Sequence, residues 1–168
     1  MANISITSCF EMAVSDCAIL QFEGWVSRLA QFEAELSKML GGALPNKVGD
    51  TVSHDALLVI RVGPRRLWLL CDRPLPAFEV DADLGCALAL SEGRVRLRLS
   101  GGRLRHILER CVAVDWEILG DGKAVQTGLH RVSVLLLRRS AFECDVLVPR
   151  SFGKSLAEWI ADASETCT

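Results

Sequence analysis

The sequence predicts an α+β fold of mostly antiparallel sheets with about three helices. Three observations lead there. Short apolar runs of strand length recur along the chain, and most are joined by short turns. Helical spacing of apolar residues is confined to three stretches set among those runs. A doubly wound parallel sheet would need a helix between successive strands, and the turns leave no room for them.

Residues 1–16 are polar and weakly patterned and read as an irregular N-terminal arm, leaving 17–168 as a single α+β domain. Ala18 to Glu23 reads as a strand closed by Gly24. Trp25, Leu29, Phe32, Leu36, Met39 and Leu40 follow at helical spacing, and Gly41-Gly42 stops that helix. Leu44 to Gly49 is a connector holding Pro45, and Thr51 to Asp55 reads as a polar loop. Ala56–Val62 and Leu67–Cys71 read as a hairpin about Gly63-Pro64, where glycine allows a positive φ and proline fixes the next one. Asp72 to Leu84, with Pro74 and Pro76, reads as a loop.

Cys86–Leu90 and Val95–Leu99 read as the next strand pair, turning near Glu92-Gly93. Gly101-Gly102 opens a short helix with Leu104, Ile107, Leu108 and Cys111 on one side. Val112 to Trp116 leads into a loop at Gly120-Asp121-Gly122. The nearly unbroken apolar run Val132–Leu137 predicts a central strand covered on both faces. Phe142, Cys144, Val146 and Val148 alternate with other residues and predict a half-buried strand ended by Pro149. Leu156, Trp159, Ile160 and Ala163 form one face of a last helix, within which Ser155-x-x-Glu158 has capping-box spacing.

Half of the 168 residues are apolar and about a quarter are charged, the composition of a folded globular protein. A net charge of −2 argues against a general nucleic-acid binder. No apolar run is long enough to cross a bilayer, and the N-terminus lacks the pattern of a signal peptide. The seven cysteines, Cys9, Cys17, Cys71, Cys86, Cys111, Cys144 and Cys167, are odd in number, irregularly spaced and without Cys-x-x-Cys. That disfavours a disulfide framework or a structural zinc site and fits a reducing, cytoplasmic compartment.

Several motifs follow one another in a specific order. Leu40-Gly41-x-x-Leu44-Pro45 comes first, then Gly63-Pro64-x-x-x-Trp68-Leu69-Leu70. Leu97-x-Leu99-Ser100-Gly101 then opens a helix containing Ile107-Leu108. Gln126-Thr127, Val134-Leu135-Leu136-Leu137-Arg138 and Val148-Pro149-Arg150-Ser151-Phe152 complete the set. From about Ile19 to the last helix, this order resembles the gamma subunit of heterotetrameric sarcosine oxidase. The chain departs from that pattern at Ala87-Leu88-Ala89-Leu90-Ser91, at Gly101-Gly102 and at Arg65-Arg66.

The resemblance implies a fold similar to the tetrahydrofolate-binding domain of glycine-cleavage aminomethyltransferases. It implies a subunit without catalytic residues, cofactor or metal of its own. The partners it implies are the larger alpha and beta subunits and the small delta subunit, which carry FAD, FMN, NAD and tetrahydrofolate. Together they oxidise sarcosine to glycine and pass the one-carbon unit to tetrahydrofolate. An independent folate-binding protein of the same fold, or a subunit of a related N-methyl amino acid or amine dehydrogenase complex, are the alternatives.

Arg94, Arg96 and Arg98 alternate with apolar residues, which places three guanidinium groups on one sheet face, and Arg103 and Arg105 follow on the adjoining helix. Residues 61–150 hold fifteen basic and eleven acidic side chains, a local balance of +4. One reading is a solvated face. The other is a docking face for an acidic patch on a partner, since arginine's planar fork suits interfaces. Trp116, in a loop-bound position, is the first candidate for an aromatic interface anchor. His54-Asp55, His106, His130, Cys71 and Cys111 lack the spacing of a metal site or a catalytic pair and read as structural. Gly120-Asp121-Gly122-Lys123 lacks the spacing of a phosphate loop, and no Gly-x-Gly-x-x-Gly occurs.

Overall fold

The computed structural model describes the backbone of residues 2–7 and the whole of residues 9–165; Cys167 lies outside the described residues. The α+β class is observed, with two antiparallel sheets and, among the described residues, three α-helices. Where one domain was expected, the chain divides into two compact units. One is contiguous, Cys17–Ser91, and the other combines the residues before it with those from Glu92 onward.

The N-terminal stretch is not an irregular arm. It forms β1 (Ala2–Thr7) and β2 (Phe10–Ser15), paired antiparallel. Phe10 and Met12 are buried and Val14 packs beside them, a two-residue alternation that polar neighbours mask in the sequence.

The contiguous unit begins with β3 (Ala18–Gly24) and α1 (Leu29–Leu40). Phe32, Leu36 and Leu40 point one way along α1 and pack on Phe22, Val59, Leu67 and Leu69 of the sheet. Gly41, at φ 74°, closes the helix, with the amides of Gly41 and Gly42 donating to the carbonyls of Lys38 and Ser37. Trp25 falls outside this helix: it precedes a 3₁₀ turn, Val26–Arg28, and stays 40% exposed. The predicted polar loop at 51–55 is instead a strand, β4 (Thr51–His54). It continues into β5 (Leu57–Gly63) and β6 (Arg66–Cys71), the hairpin expected about Gly63-Pro64. Buried Arg61 ties the preceding connector to this hairpin: Nε donates to the Pro45 carbonyl at 2.6 Å, Nη1 to the Pro64 carbonyl at 3.0 Å, and Glu33 lies 2.8 Å away. After a loop comes β7 (Gly85–Ala89), and the sheet order is β4-β5-β6-β3-β7.

The expected hairpin between β7 and the next strand, β8 (Arg94–Ser100), does not form. A 3₁₀ turn at Ser91–Gly93 redirects the chain; β7 pairs with β3, while β8 pairs with β2 and with β11 (Glu143–Pro149). Between β8 and β11 lie α2 (Leu104–Cys111), β9 (Ala124–Leu129) and β10 (Val132–Ser140), and α3 (Gly153–Glu165) follows β11. The order of this second sheet is β1-β2-β8-β11-β10-β9, so β10 is flanked on both sides, as its apolar run predicted. Leu97, Leu99, Leu136 and Val146 pack against Ile107 and Leu108 of α2 and Leu156 and Ile160 of α3.

Two local expectations fail here. Residues 144–148 of β11 are buried on both faces, whereas Phe142, expected inward, sits exposed in the preceding turn. The capping box is absent: Ser155 Oγ donates to the Phe152 carbonyl, and Glu158 faces Lys154.

Candidate partner interface

The arginine row of β8 is where the sequence allowed either a solvated face or a docking face. Register with β2 and β11 sets Arg98 between Ala13 and Asp145, and Arg96 between Ser15 and Leu147. Asp145 is fully buried and takes two guanidinium groups: Arg98 Nε donates to Oδ1 and Arg139 Nε to Oδ2, both at 2.9 Å, with Arg139 Nη2 adding a bond at 2.7 Å. A buried carboxylate persists as an ion when paired and hydrogen-bonded in this way. Glu143 lies 3.5 Å from Arg98 on its outer side. Arg96 is itself buried and donates to Ser15 Oγ at 3.1 Å. Arg94 is half-buried, and desolvation lowers the pKa of its guanidinium. The three residues share a face, but Arg96 and Arg98 chiefly brace strands.

The helix arginines divide differently. Arg103 stands at the start of α2 without a side-chain cap. Arg105 is exposed and bonds Glu109 one turn on and Glu117 in the next loop, which raise its pKa. Trp116 is not a surface anchor. It is 3% exposed, packed into the hydrophobic core of its unit, with Arg138 5.0 Å over its ring and Nη1 donating to the carbonyls of Trp116 and Leu119. Asp121, 2.8 Å from Arg138 Nε, completes this brace, so Gly120-Asp121-Gly122 is a loop clamp. Its exposed apolar residue is Ile118. Arg138, Arg139 and Asp145, absent from the sequence-based candidates, organise this region; the odd pairing of a charge with apolar neighbours in β11 was the available signal.

The remaining candidates resolve locally. His54 Nε2 donates to the Ala43 carbonyl at 2.8 Å, and its ring packs on Gly42, where a side chain would collide. His54, Asp55 and Cys71 line one open cavity of about 490 Å³ with Arg73 and apolar residues. His106 is exposed on α2, and His130 sits 5.0 Å from the Trp159 ring. Among the described residues no His, Cys, Asp and Glu cluster has the form of a metal site, and no cysteine is in a disulfide. Burial and the Asp145 charge push the Cys144 thiol pKa well up, the opposite of an activated nucleophile.

The contiguous unit carries a second surface that the sequence reading did not single out. A cavity of about 490 Å³ opens between α1 and the segment before β7, with Phe32, Leu36 and Leu84 as apolar lining, Glu35, Glu79 and Asp81 as acidic groups, and Lys38, paired with Glu35, as the one basic group. Beside it, Trp25 Nε1 donates to the Ala82 carbonyl at 2.7 Å, leaving the indole partly exposed. β7 then runs along the sheet edge with Cys86, Ala87, Leu88 and Ala89 all exposed. Among the described residues no helix is long and apolar enough to cross a membrane.

No protein-family model matches the chain, and no curated protein matches it. Solved structures do. A chain of heterotetrameric sarcosine oxidase from Corynebacterium sp. U-96, solved in complex with pyrrole 2-carboxylate, is similar with a TM-score of 0.77 at 22% identity, over 93% of this chain and 85% of that one. Glycine cleavage system aminomethyltransferase T from Bartonella henselae is similar with a TM-score of 0.56 at 16% identity, over 89% of this chain but only 45% of that one. These likenesses establish a shared fold.

Proposed function

We propose that the chain is a non-catalytic, gamma-type subunit of a heterotetrameric sarcosine-oxidase-type flavoenzyme. The observation that carries this reading is the extent of the likeness to the sarcosine oxidase chain, which takes in nearly the whole of both chains. The motif order from Leu40-Gly41 to Ser151-Phe152 supports the same assignment independently. In this reading larger alpha and beta subunits and a small delta subunit hold FAD, FMN, NAD and tetrahydrofolate, and the reactive chemistry belongs to those cofactors. The assembly would oxidise sarcosine, or a related N-methyl amine, and pass the one-carbon unit to tetrahydrofolate. This chain would contribute stability and shape to the large subunit, with Arg94, Arg98, Arg103 and Arg105 at the rim of a contact and buried Arg96 and Trp116 supporting it from within.

The test is affinity purification of the tagged chain from its native host, followed by an absorbance scan and a sarcosine-dependent peroxide assay. Two large partners with a flavin spectrum and peroxide production are expected; a colourless lone chain would refute the subunit reading. The likeness to aminomethyltransferase T favours one second reading, an independent folate-binding protein. Calorimetric titration of the isolated chain with a reduced folate separates the two, because tight binding belongs only to the second.

A further inference from the structure

We infer that the outer edge of β7 is a docking strand, completed by an extended segment of a different protein that adds to the sheet beside it. This rests on the subunit reading above and adds a second contact surface to the arginine face named there.

β7 ends its sheet and pairs on one side only, with β3. The hydrogen bonds fix which backbone groups face outward. Leu90 N donates to the Ile19 carbonyl and Trp25 N to the Leu84 carbonyl. In an antiparallel ladder, hydrogen-bonded pairs alternate with non-bonded ones. With the register Gln21↔Leu88 and Glu23↔Cys86, residues 84, 86, 88 and 90 therefore face β3. Ala87 and Ala89 turn their N–H and C=O groups away from it.

Sheet edges are ordinarily blunted by charge, proline, a bulge or short length. β4, an edge of the same sheet, is only four residues long and carries Thr51, Ser53 and His54. β9, an edge of the other sheet, carries Gln126 and Thr127 and is bridged near its end by Val112. β7, at five residues, is also short but lacks the other devices: Gly85–Ala89 is regular, uncharged, free of proline and apolar, with Leu88 54% exposed. An exposed edge of this kind is the template for strand addition.

The charge around β7 selects the occupant. From Pro74 to Ser91 there is no Lys or Arg, while Glu79, Asp81 and Asp83 lead into the strand. Neither Glu79 nor Asp83 is in an ion pair among the described residues. A second copy adding antiparallel through its own β7 would bring no basic residue to these carboxylates. The occupant that fits is a partner's extended, uncharged strand of small and apolar residues. It is followed by Lys or Arg at its C-terminal end, which antiparallel addition sets beside Asp83.

The experiment uses the complex isolated from the native host through the tagged full chain. Amide hydrogen exchange is measured over residues 85–91 in the complex and in the chain alone. Slowing of at least about tenfold at Ala87 and Ala89 is expected. Ala87→Pro removes an outward N–H without touching the ladder to β3, and it should weaken the complex at least about tenfold while the chain keeps its circular dichroism. Asp81→Lys with Asp83→Lys should weaken it too, more at low salt than at high. Absence of any stoichiometric partner with the wild-type chain would sink the subunit reading itself. A wild-type complex with unchanged exchange at 85–91 overturns the docking strand alone, as does full retention of a well-folded Ala87→Pro chain. Should Ala87→Pro misfold, the exchange comparison on the wild type decides. Self-association of the purified chain that protects the same amides would overturn the choice of a different protein as occupant.

Discussion

Asp145 shows how one residue can be both the most costly and the most organising in its neighbourhood. It is a fully buried carboxylate met by Arg98 and Arg139 from two different strands. Removing one partner of such a set leaves the others uncompensated, which costs about 3–5 kcal/mol. Arg139→Ala, which strips the buried Asp145 carboxylate of two of its hydrogen bonds, should lower the unfolding free energy by up to about that much, read from urea denaturation. Arg105→Ala, whose ion pairs are exposed, should leave it nearly unchanged. The neighbouring Cys144 supplies a pH signature. Its thiol pKa is raised in the fold, so above about 8.5, the ordinary thiol pKa, the unfolded chain sheds a proton that the native chain keeps. Stability is therefore fully present below that pH and falls as pH rises beyond it. Thermal unfolding between pH 8 and pH 10 should show a smaller loss for Cys144→Ala than for the wild type. An equal loss would assign the alkaline instability to other groups.

At the scale of elements, Gly101 sets the junction between β8 and α2. Its φ of 131° is closed to ordinary side chains, and a Cβ there would run into the Cys9 carbonyl oxygen. Gly101→Ala should cost about 2 kcal/mol or more, by the strain of a forbidden φ added to the backbone collision, measurable as a lowered Tm. Gly102→Ala meets open space and should be nearly silent. The helices were legible in the sequence because their apolar residues repeat every three or four positions within one element. Strand identity was legible for β3, β5, β6, β7, β8, β10 and β11 for the same local reason. What a strand pairs with was not: β7 and β8 look like neighbours across Glu92-Gly93, yet their hydrogen bonds go to residues dozens of positions away. β9 was missed because Gln126, Thr127 and Gly128 dilute its apolar content at an exposed edge. Of the candidate site, the arginine row was readable from its alternation, whereas the burial of Trp116 rests on core contacts distant in sequence, with Arg138, twenty-two residues further on, over its ring.

For the whole molecule, the accessory-subunit reading proposed above predicts dependence on company. Co-expression with the large flavoprotein subunit should raise the soluble yield and Tm of the chain, as any partner binding only the native state must. A Tm indifferent to that subunit would argue for an independent protein.

The contiguous unit interrupts the other one: the chain leaves after Asp16 and returns at Glu92. For β2 and β8 to meet at Ser15↔Arg96, the intervening segment must close as a loop of about 80 residues, an entropy cost on the order of 4 kcal/mol from length alone. The Leu90 amide donating to the Ile19 carbonyl changes that cost, because it holds the two crossing points side by side as soon as β3 and β7 pair. Once that ladder exists, β2 and β8 are separated by a tether of only a few residues. This connectivity predicts that the β3–β7 ladder forms before β2 meets β8. Weakening β3–β7 with Phe22→Ala should slow the formation of β2–β8 contacts in stopped-flow refolding, although Phe22 belongs to neither strand.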